Sequence, residues 1–375
     1  MIPIPLVLAG ARGHGQWHLR NIRRLQRAGL VRLAGVCELR PLAARELDGF
    51  DGVAQSADFT ALLETTGAGI AVICTPIDTH TPLALAAARR GAHVLLEKPP
   101  APSWAEFRRL ADGVRHAGIA CQIGFQSIGS HALPAIADLI ADGAIGEVTG
   151  IGAAGAWARD EAYFRRSPWA GKRRLDDGTD VVDGVLTNPL AHAVATALAL
   201  DGSPRADDVT GIQLELARAN DIEADDTSCV RITTAHGTPL TVAVTLCAEQ
   251  PGEPYVVVHG SHGRITLWYK QDRVLVQRAG HGPVETVHGR TDLLENLIAH
   301  VRGGEGLLVP PHRTGAFMRL VEAVRTAPEP RRLPEGTWYA DGGPSGPRRV
   351  VKGIDGLVHA SADTLRLFSE LENSP

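Results

Sequence analysis

The first 125 residues alternate short apolar runs with segments of helical periodicity, and this alternation constrains the fold more than any other feature. The apolar runs that predict strands lie at 4–9, 31–37, 70–74, 92–96 and 119–125. One helical pattern ends near Ala28 and another at Arg90, while a third begins after Ser103, which has Glu106 three residues on as in a capping box. Continuous apolar strands joined by helices indicate βαβ units and a parallel sheet.

A glycine-rich turn, Gly10-Ala11-Arg12-Gly13-His14-Gly15, follows the first predicted strand. It departs from the G-x-G-x-x-G fingerprint of dinucleotide-binding domains because Arg12 stands at the second glycine. Gly10 permits a tight turn, Gly13 adds backbone freedom, and Gly15 permits close packing of helix on strand. The free N–H groups around His14 would then face a pyrophosphate. We predict a dinucleotide site here; a glycine-rich turn without a ligand is the alternative.

Glu38 ends the second predicted strand, 23 residues after Gly15. An acidic side chain at this place can accept hydrogen bonds from both hydroxyls of the adenosine ribose, and it repels a 2′-phosphate. NAD is therefore the predicted cofactor. Arg40 keeps NADP open, because a nearby guanidinium can neutralise a 2′-phosphate or stack on adenine.

Beyond about residue 146 the pattern changes to β-type segments separated by turns such as His236-Gly237. The predicted segments lie at 212–216, 229–233, 240–246, 255–259 and 264–268. Such short strands are typical of antiparallel sheets with one open face. After them come helical patterns at 293–301 and 315–324, a Pro-, Gly- and Arg-rich stretch at 326–348, and a last helix at about 355–370.

These patterns predict an α/β protein in three parts. Residues 1–125 would form a Rossmann dinucleotide-binding domain. Residues 126–330 would form an α/β domain for substrate binding and oligomerisation, built on a large, mostly antiparallel, open sheet. Residues 331–375 would be an extension with a helix, either an oligomer arm or a cover for the open sheet.

Composition excludes several functional classes. The net charge of −4 gives no reason to expect nucleic acid or an acidic membrane surface as a partner, and no apolar window approaches the ~18 residues of a membrane span. The start of the chain lacks the features of a signal peptide. The five cysteines are far apart, without the spacing of a disulfide framework or a CxxC metal site. We predict a cytoplasmic protein with free thiols and no metal.

Several motifs occur in the order in which one known family has them. They are Thr75-Pro76-Ile77-Asp78-Thr79-His80, Glu97-Lys98-Pro99, Gly124-Phe125-Gln126, 140–148, Tyr163-Phe164-Arg165, Trp169-Ala170-Gly171-Lys172 and 184–192. With the glycine turn upstream, they resemble the glucose-fructose oxidoreductase/inositol dehydrogenase (Gfo/Idh/MocA) family. The resemblance covers about the first 300 residues, well over 1–200 and in outline beyond.

The resemblance implies a Rossmann domain followed by an α/β domain with a large antiparallel sheet. It also implies a nicotinamide cofactor, a sugar or polyol substrate, and a homodimer or homotetramer. Thr75, Pro76, His80, Glu97 and Lys98 would line the cofactor site.

Lys98 is the central catalytic candidate. It lies just past the carboxyl end of a predicted parallel strand, where open α/β sheets bind ligands. Oxidation of a carbinol needs a proton acceptor, stabilisation of the developing alkoxide, and a C–H directed at the nicotinamide. The ammonium group can donate to the substrate oxygen. Glu97 would hold cofactor hydroxyls or orient Lys98.

His192 is the second catalytic candidate, as general acid or base, because imidazole titrates near neutral pH. The family pattern has an Asp four residues before this His, whereas this sequence has Asn188. An amide cannot take up the proton. Asn188, followed by Pro189, could therefore act near the substrate or only as the N-cap of the next helix. Asp183 is a candidate replacement carboxylate.

Substrate contacts are predicted for residues around the family's domain junction: Gln126, Tyr163, Arg165, Trp169, Lys172 and His192. Aromatic faces pack on the C–H side of a sugar ring, and cationic side chains bind its oxygens. Gln126 could contact the substrate or the nicotinamide amide. The arginine that the family commonly has shortly after it is absent, since Ser127 and Ile128 follow.

The predicted function is NAD(P)-dependent hydride transfer to or from a carbinol or ketone carbon of a sugar, cyclitol or glycoside-like substrate. Two alternatives stay open. One is an NAD-dependent glycosidase that acts by transient oxidation and elimination. The other is a non-catalytic NAD(P)-binding regulatory or interaction protein, which Asn188 favours and Lys98 and His192 disfavour.

Overall fold

The computed structural model describes residues 2–343 and 346–372; residues 1, 344–345 and 373–375, at the ends and within the predicted C-terminal extension, lie outside the described part. The chain divides into two compact units, Met1–Phe125 with Asp292–Pro311, and Gln126–Thr291 with His312–Pro375. The sequence-based division ran in continuous ranges and assigned 292–311 to the second domain. In the structure this segment returns to the first unit, where Asn21 donates to both Asp292 carboxylate oxygens and Gln122 to Asn296.

The first unit is built on a six-stranded sheet in which every neighbouring pair is parallel, in the order β3-β2-β1-β4-β5-β6. Its strands are β1 (Ile4–Ala9), β2 (Val31–Cys37), β3 (Ala54–Ser56), β4 (Ile70–Ile73), β5 (His93–Leu96) and β6 (Cys121–Ile123). Its helices before residue 125 are α1 (Gly15–Arg27), α2 (Phe59–Thr66), α3 (His80–Arg89) and α4 (Trp104–His116). Successive residues Leu6, Val7 and Leu8 are all fully buried, as expected of a strand covered on both faces.

The second unit contains a nine-stranded sheet in the order β14-β13-β12-β11-β7-β10-β9-β8-β15. The strands are β7 (Val148–Ala156), β8 (Val209–Arg218), β9 (Thr227–Thr234), β10 (Pro239–Thr245), β11 (Tyr255–Gly260), β12 (Gly263–Trp268), β13 (Arg273–Arg278), β14 (Val284–Val287) and β15 (Arg331–Arg332). Only the pairs β7–β10 and β8–β15 are parallel among these described strands. The predicted α/β class with a large, mostly antiparallel second sheet is confirmed.

The later helices are α5 (Ala132–Ala141), α6 (Glu161–Phe164), α7 (Ala191–Leu200), α8 (Leu293–Gly303), α9 (Gly315–Thr326), α10 (Ile354–Thr364) and α11 (Phe368–Glu372). Of these, α8 belongs to the first unit. Among the described residues, no helix has the length and apolar character that crossing a lipid bilayer requires.

The C-terminal extension differs from its predicted form. The single helix expected at 355–370 is two helices, because Leu365 adopts a left-handed backbone conformation (φ 58°) that ends α10. The Pro-, Gly- and Arg-rich stretch contains β15 and β16 (Trp338–Gly343), and β16 pairs antiparallel with β17 (Gly346–Val351).

Helix α10 covers one face of the large sheet. Val358 and Ala362 share a buried apolar cluster with Ala154, Cys229 and Ala243 of the sheet strands. Of the two sequence-based alternatives for this extension, a cover for the sheet matches the packing that the structure shows.

The closest approach in this packing predicts a stability effect. A Cβ atom on Gly152 of β7 would lie 2.0 Å from the carbonyl oxygen of Ala362 in α10, so Gly152→Ala must displace backbone. Overpacking of this kind costs about 1–3 kcal/mol of unfolding free energy. Urea denaturation measures it, with Gly252→Ala as the control, since nothing lies within 4 Å of a Cβ there. An unchanged midpoint for Gly152→Ala would show that α10 does not pack this closely on β7.

Candidate active site

The glycine turn of the first unit is too tight for side chains at two positions. Gly10 has φ 81°, and a Cβ atom there would lie 2.3 Å from the carbonyl oxygen of Cys74 at the end of β4. A Cβ atom on Gly15 would lie 2.0 Å from the carbonyl oxygen of Gly10. The turn therefore brings the start of α1, with His14 at its N-cap position, onto the carboxyl end of the parallel sheet. This is the geometry that presents helix N–H groups to a phosphate.

Glu38 lies at this turn and binds its backbone. Its Oε1 accepts hydrogen bonds from the N–H groups of Ala11 (2.6 Å) and Arg12 (3.1 Å). The Arg12 guanidinium pairs with Oε2 at 3.1 Å and also donates to the carbonyl oxygens of Arg40 and Pro41. Arg12, which breaks the glycine fingerprint, thus ties the turn to the loop after β2. Arg40 is an exposed residue of that loop.

A buried carboxylate organises the loop that carries Lys98. Glu97 is only 6% exposed, and its Oε1 lies 2.9 Å from His18 Nε2 and 3.5 Å from His14 Nε2. Its Oε2 accepts from the backbone N–H of Lys98 at 3.2 Å. Burial alone would raise the pKa of Glu97, but the hydrogen bonds from His14 and His18 hold it well below its usual range. Glu97 is therefore ionised and fixes the backbone at Lys98, which is half-buried.

One ligand atom each of His14, His18 and Glu97 lies within 4.8 Å of the other two, a spacing that could hold a metal ion. The same atoms make the hydrogen bonds that keep Glu97 ionised. The cluster also lies at the N-terminus of α1, where the helix dipole favours an anion over a cation. We assign no metal to it.

The second motif of the first unit is a tight loop after β4. His80 is 1% exposed, and its ring nitrogens lie 2.9 Å from the carbonyl oxygens of Thr75 and Pro99. Burial lowers the pKa of His80, with the two carbonyl contacts opposing this effect. His80 Nδ1 contacts Pro99 of the Lys98 loop and Nε2 contacts Thr75 of its own loop, so the ring joins the two loops. Its expected place in the cofactor site stays a prediction. Pro76 is exposed at the turn.

One buried polar atom of this loop suits a ligand. Asp78 Oδ1 has no hydrogen-bond partner among the described residues. Buried acceptors of this kind are normally satisfied by protein, water or a bound molecule. A dinucleotide hydroxyl fits that requirement, so the residues present here are compatible with the predicted cofactor.

In the second unit, His192 lies in a row of hydroxyl groups. Ser127 Oγ is 3.1 Å from His192 Nδ1, and Thr196 Oγ1 donates to Ser127 Oγ at 2.9 Å. The ring of Tyr269 stacks on His192 with centroids 6.4 Å apart. Burial raises the pKa of Tyr269, whose hydroxyl has no hydrogen-bond partner among the described residues. Gln126 Nε2 is likewise buried without a partner among them, consistent with its predicted contact to a ligand.

Of the two alternatives for Asn188, the N-cap of the following helix is wrong. Helix α7 begins at Ala191 with Leu190 at the N-cap position, because the chain from 185 to 190 forms turns before the helix. Asn188 Nδ2 instead donates to Asp183 Oδ1 at 2.6 Å.

Asp183 is not available as a replacement base. Its other oxygen accepts from the N–H of Gly171 (2.8 Å) and from Arg166 (3.3 Å). The carboxylate is therefore engaged by a cation and two N–H donors, and its local role is to hold Asn188 and the 166–171 loop in place.

Among the predicted substrate residues, Tyr163 and Trp169 share one neighbour, whereas Arg165 and Lys172 pair with acidic residues. Arg166, which sequence reasoning missed, lies over Tyr163 (3.8 Å to the centroid) and Trp169 (4.6 Å). Arg166 lies three residues from both Tyr163 and Trp169 in the sequence, and this spacing could have identified it. Arg165 is 77% exposed and pairs with Glu161. Lys172 pairs with the exposed Asp176 at 2.5 Å.

Other residues of the site were also missed. His18 could have been found from its spacing of four residues after His14 on α1. Ser127, Thr196 and Tyr269 carried no local signal, because only the fold brings them to His192.

The environment of Glu97 predicts a pH-dependent loss of stability in Glu97→Gln. The amide has one acceptor oxygen where the carboxylate has two, so its N–H group would face either the N–H of Lys98 or the histidine nitrogens, which costs about 1–3 kcal/mol. The pKa of Glu97 is lower in the folded protein than in the unfolded chain, where it is about 4.3, so ionised Glu97 stabilises the folded state at pH values above 4.3. This stabilisation is lost as the pH falls through the pKa of the folded state. Urea unfolding should therefore show the full deficit from pH 7 to about 4.5 and a smaller one below. The control is Glu305→Gln, an exposed residue of the same unit; wild-type stability of Glu97→Gln at pH 7 would contradict the assignment.

Models of known protein families match parts of both units of the chain. A family model described as an oxidoreductase family with an NAD-binding Rossmann fold matches residues 4–125, and the GFO/IDH/MocA C-terminal domain model matches residues 134–266. A dTDP-3,4-didehydro-2,6-dideoxy-alpha-D-glucose 3-reductase of Streptomyces violaceoruber is 28% identical over 281 residues, which are 74% of this chain and 72% of that protein. Levoglucosan dehydrogenase of Pseudarthrobacter phenanthrenivorans is 29% identical over 155 residues, 39% of this chain and 38% of the relative.

Solved structures show the same fold. The WlbA dehydrogenase of Bordetella pertussis, crystallised with NADH and UDP-GlcNAcA, has a TM-score of 0.71 at 20% identity, covering 86% of this chain and 95% of its own. The two family models confirm the resemblance seen in the sequence motifs. Because models of one family match both units, this chain belongs to the Gfo/Idh/MocA family of NAD-binding oxidoreductases.

Proposed function

We propose that the protein transfers a hydride between NAD and a carbinol or ketone carbon of a sugar, cyclitol or glycoside-like substrate. The observation that carries the proposal is the ionised, buried Glu97, which fixes Lys98 at the carboxyl end of β5 beside the glycine turn. Relatives whose names state reduction of a dTDP-sugar and dehydrogenation of levoglucosan support the substrate class.

The first unit would hold the cofactor. The residues proposed for it in this unit are Gly10, Arg12, Gly13, His14, Gly15, Glu38, Arg40, Thr75, Pro76, His80, Glu97 and Lys98. The sequence also proposes Gln126 as a cofactor contact. Glu38 would bind the ribose hydroxyls, while His80 and Glu97 would act through the loops they hold. The Glu38 carboxylate favours NAD; Arg12 and Arg40 are the residues that would have to accommodate a 2′-phosphate.

When bound, NAD supplies a hydride acceptor at the nicotinamide C4. The Lys98 ammonium would donate to the substrate oxygen and stabilise its alkoxide character. His192 would serve as the second proton-handling group. Asn188, held by Asp183, can orient a substrate hydroxyl but cannot accept its proton.

The second unit would bind the substrate through residues proposed from the sequence: Gln126, Tyr163, Arg165, Trp169, Lys172 and His192. The rings of Tyr163 and Trp169, joined by Arg166, form a surface suited to the C–H face of a sugar. Arg165 and Lys172 are already paired with acidic neighbours, so the aromatic residues have the stronger support.

We also propose a cytoplasmic location and a homodimer or homotetramer. All five cysteines are free thiols, as suits a reducing compartment. Oligomerisation rests on the family resemblance alone, and light scattering of the purified protein tests it.

Two substitutions test the chemistry. Lys98→Ala is expected to reduce kcat by at least about a thousandfold through loss of oxyanion stabilisation, and His192→Ala by about 10²–10⁴-fold through loss of proton transfer. Turnover of a polyol and sugar panel, followed at 340 nm with NAD, measures both. The control is Lys352→Ala, whose exposed ammonium donates to Gly336.

Three outcomes would contradict the proposal. Full turnover by His192→Ala would remove its proton-handling role. Release of an aglycone without net absorbance change would identify a glycosidase that oxidises its substrate only transiently. Cofactor binding without turnover across the panel would favour a regulatory protein.

A further inference from the structure

The row Thr196–Ser127–His192 has a defined direction. Thr196 Oγ1 donates to Ser127 Oγ, and Ser127 Oγ lies 3.1 Å from His192 Nδ1. Ser127 is 2% exposed and Thr196 is fully buried, so water does not compete for these hydroxyl groups. His192 and Thr196 are four residues apart on α7 and hence share one face of the helix.

This direction indicates which ring nitrogen carries the proton. A serine hydroxyl has one hydrogen and two lone pairs, and one lone pair of Ser127 accepts from Thr196. If the other lone pair accepted from His192 Nδ1–H, the buried Ser127 hydrogen would have no acceptor in this row, whereas donation to Nδ1 satisfies it. A ring nitrogen that accepts a hydrogen bond carries no proton in the neutral imidazole, so the proton is on Nε2.

We propose that Ser127 and Thr196 are positioning residues that fix His192 as the Nε2–H tautomer, so that its neutral ring meets the substrate oxygen as a hydrogen-bond donor. This inference rests on the proposed function, since it assigns His192 to a substrate oxygen. A donor at Nε2 suits the carbonyl oxygen of a ketone, which only accepts hydrogen bonds. In this resting state His192 offers the substrate oxygen a hydrogen bond, and the ring must carry a second proton, on Nδ1, before it can act as the general acid.

The stacked ring of Tyr269 supports the same assignment. The Tyr269 ring stacks on the face of the His192 imidazole at an interplanar angle of 28°, and Ser127 contacts the edge of the imidazole at Nδ1. The two contacts together restrain the orientation of the imidazole. A 180° flip of the ring would put Cδ2 in the place of Nδ1 and would lose the contact to Ser127.

The tautomer can be read directly on the protein without substrate. Long-range ¹H–¹⁵N correlation spectra of protein labelled in its histidine rings, at about pH 9 so that the ring is neutral, distinguish pyridine-type from pyrrole-type nitrogens. The signals of His192 are identified by their loss in His192→Gln. We expect pyridine-type Nδ1 and pyrrole-type Nε2 in the wild type, and a mixed or reversed pattern in Ser127→Ala. Pyrrole-type Nδ1 in the wild type, or an unchanged pattern in Ser127→Ala, would overturn the proposal.

Kinetics supply the second readout. Ser127→Ala is expected to lower kcat for ketone reduction by about 10- to 100-fold with KM within about twofold, because a hydrogen-bond donor that is no longer held in place stabilises the developing oxyanion less. Thr196→Val, which keeps the shape and removes the donor, should lose less, and Thr196→Ser should restore wild-type kcat. A purely structural role would predict equal losses in Thr196→Val and Thr196→Ser, and that result would count against the proposal.

The matched control is Ser203→Ala. Ser203 is fully buried just beyond α7 and donates to Asp201, so the substitution removes a hydroxyl of the same kind away from His192. We expect its His192 spectrum and kcat to equal those of the wild type. If the wild type turns over no substrate, the proposed function fails, whereas the spectrum of the free protein still decides the tautomer.

Discussion

The site of the first unit depends on the hydrogen bonds that the ionised carboxylate of Glu97 accepts. A charged group at 6% exposure is stable only when hydrogen-bond donors surround it, and here His18, His14 and the Lys98 N–H supply them. The carboxylate also leaves no room at Gly124, where a Cβ atom would lie 2.9 Å from Oε1. The start of α1, the end of β5 and the end of β6 are thus arranged about one charge, and the position of Lys98 follows from it.

In the second unit, packing on the large sheet sets the position of α7. The helix is apolar nearly all round, with Ala193, Val194 and Ala197 buried. Its start is fixed by close contact, since a Cβ atom on Gly155 of β7 would lie 2.8 Å from the Leu190 side chain. His192 and Thr196 therefore occupy defined places because a buried helix cannot rotate without opening the core.

Local patterns predicted the parallel sheet, the capping of α4 by Ser103, and the glycine turn, because each depends on residues near one another in the chain. The pairing of Asn188 with Asp183 was not predicted, since Asn before Pro reads equally well as a helix cap. The return of 292–311 to the first unit and the Ser127 contact to His192 depend on tertiary packing that periodicity does not encode. The break at Leu365 left no Gly or Pro as a signal.

The most direct test of the central claim, that the glycine turn, Glu38 and the Glu97 loop form an NAD site, is a fluorescence titration of the purified protein with NADH and with NADPH, after any bound cofactor is removed. Ribose hydroxyls bound by the Glu38 carboxylate predict tighter binding of NADH, by about 10-fold or more, because hydrogen bonds to a charged group contribute about 1.5–3 kcal/mol. Equal or tighter binding of NADPH would contradict the role of Glu38. Binding of neither nucleotide would contradict the account of the site as a whole.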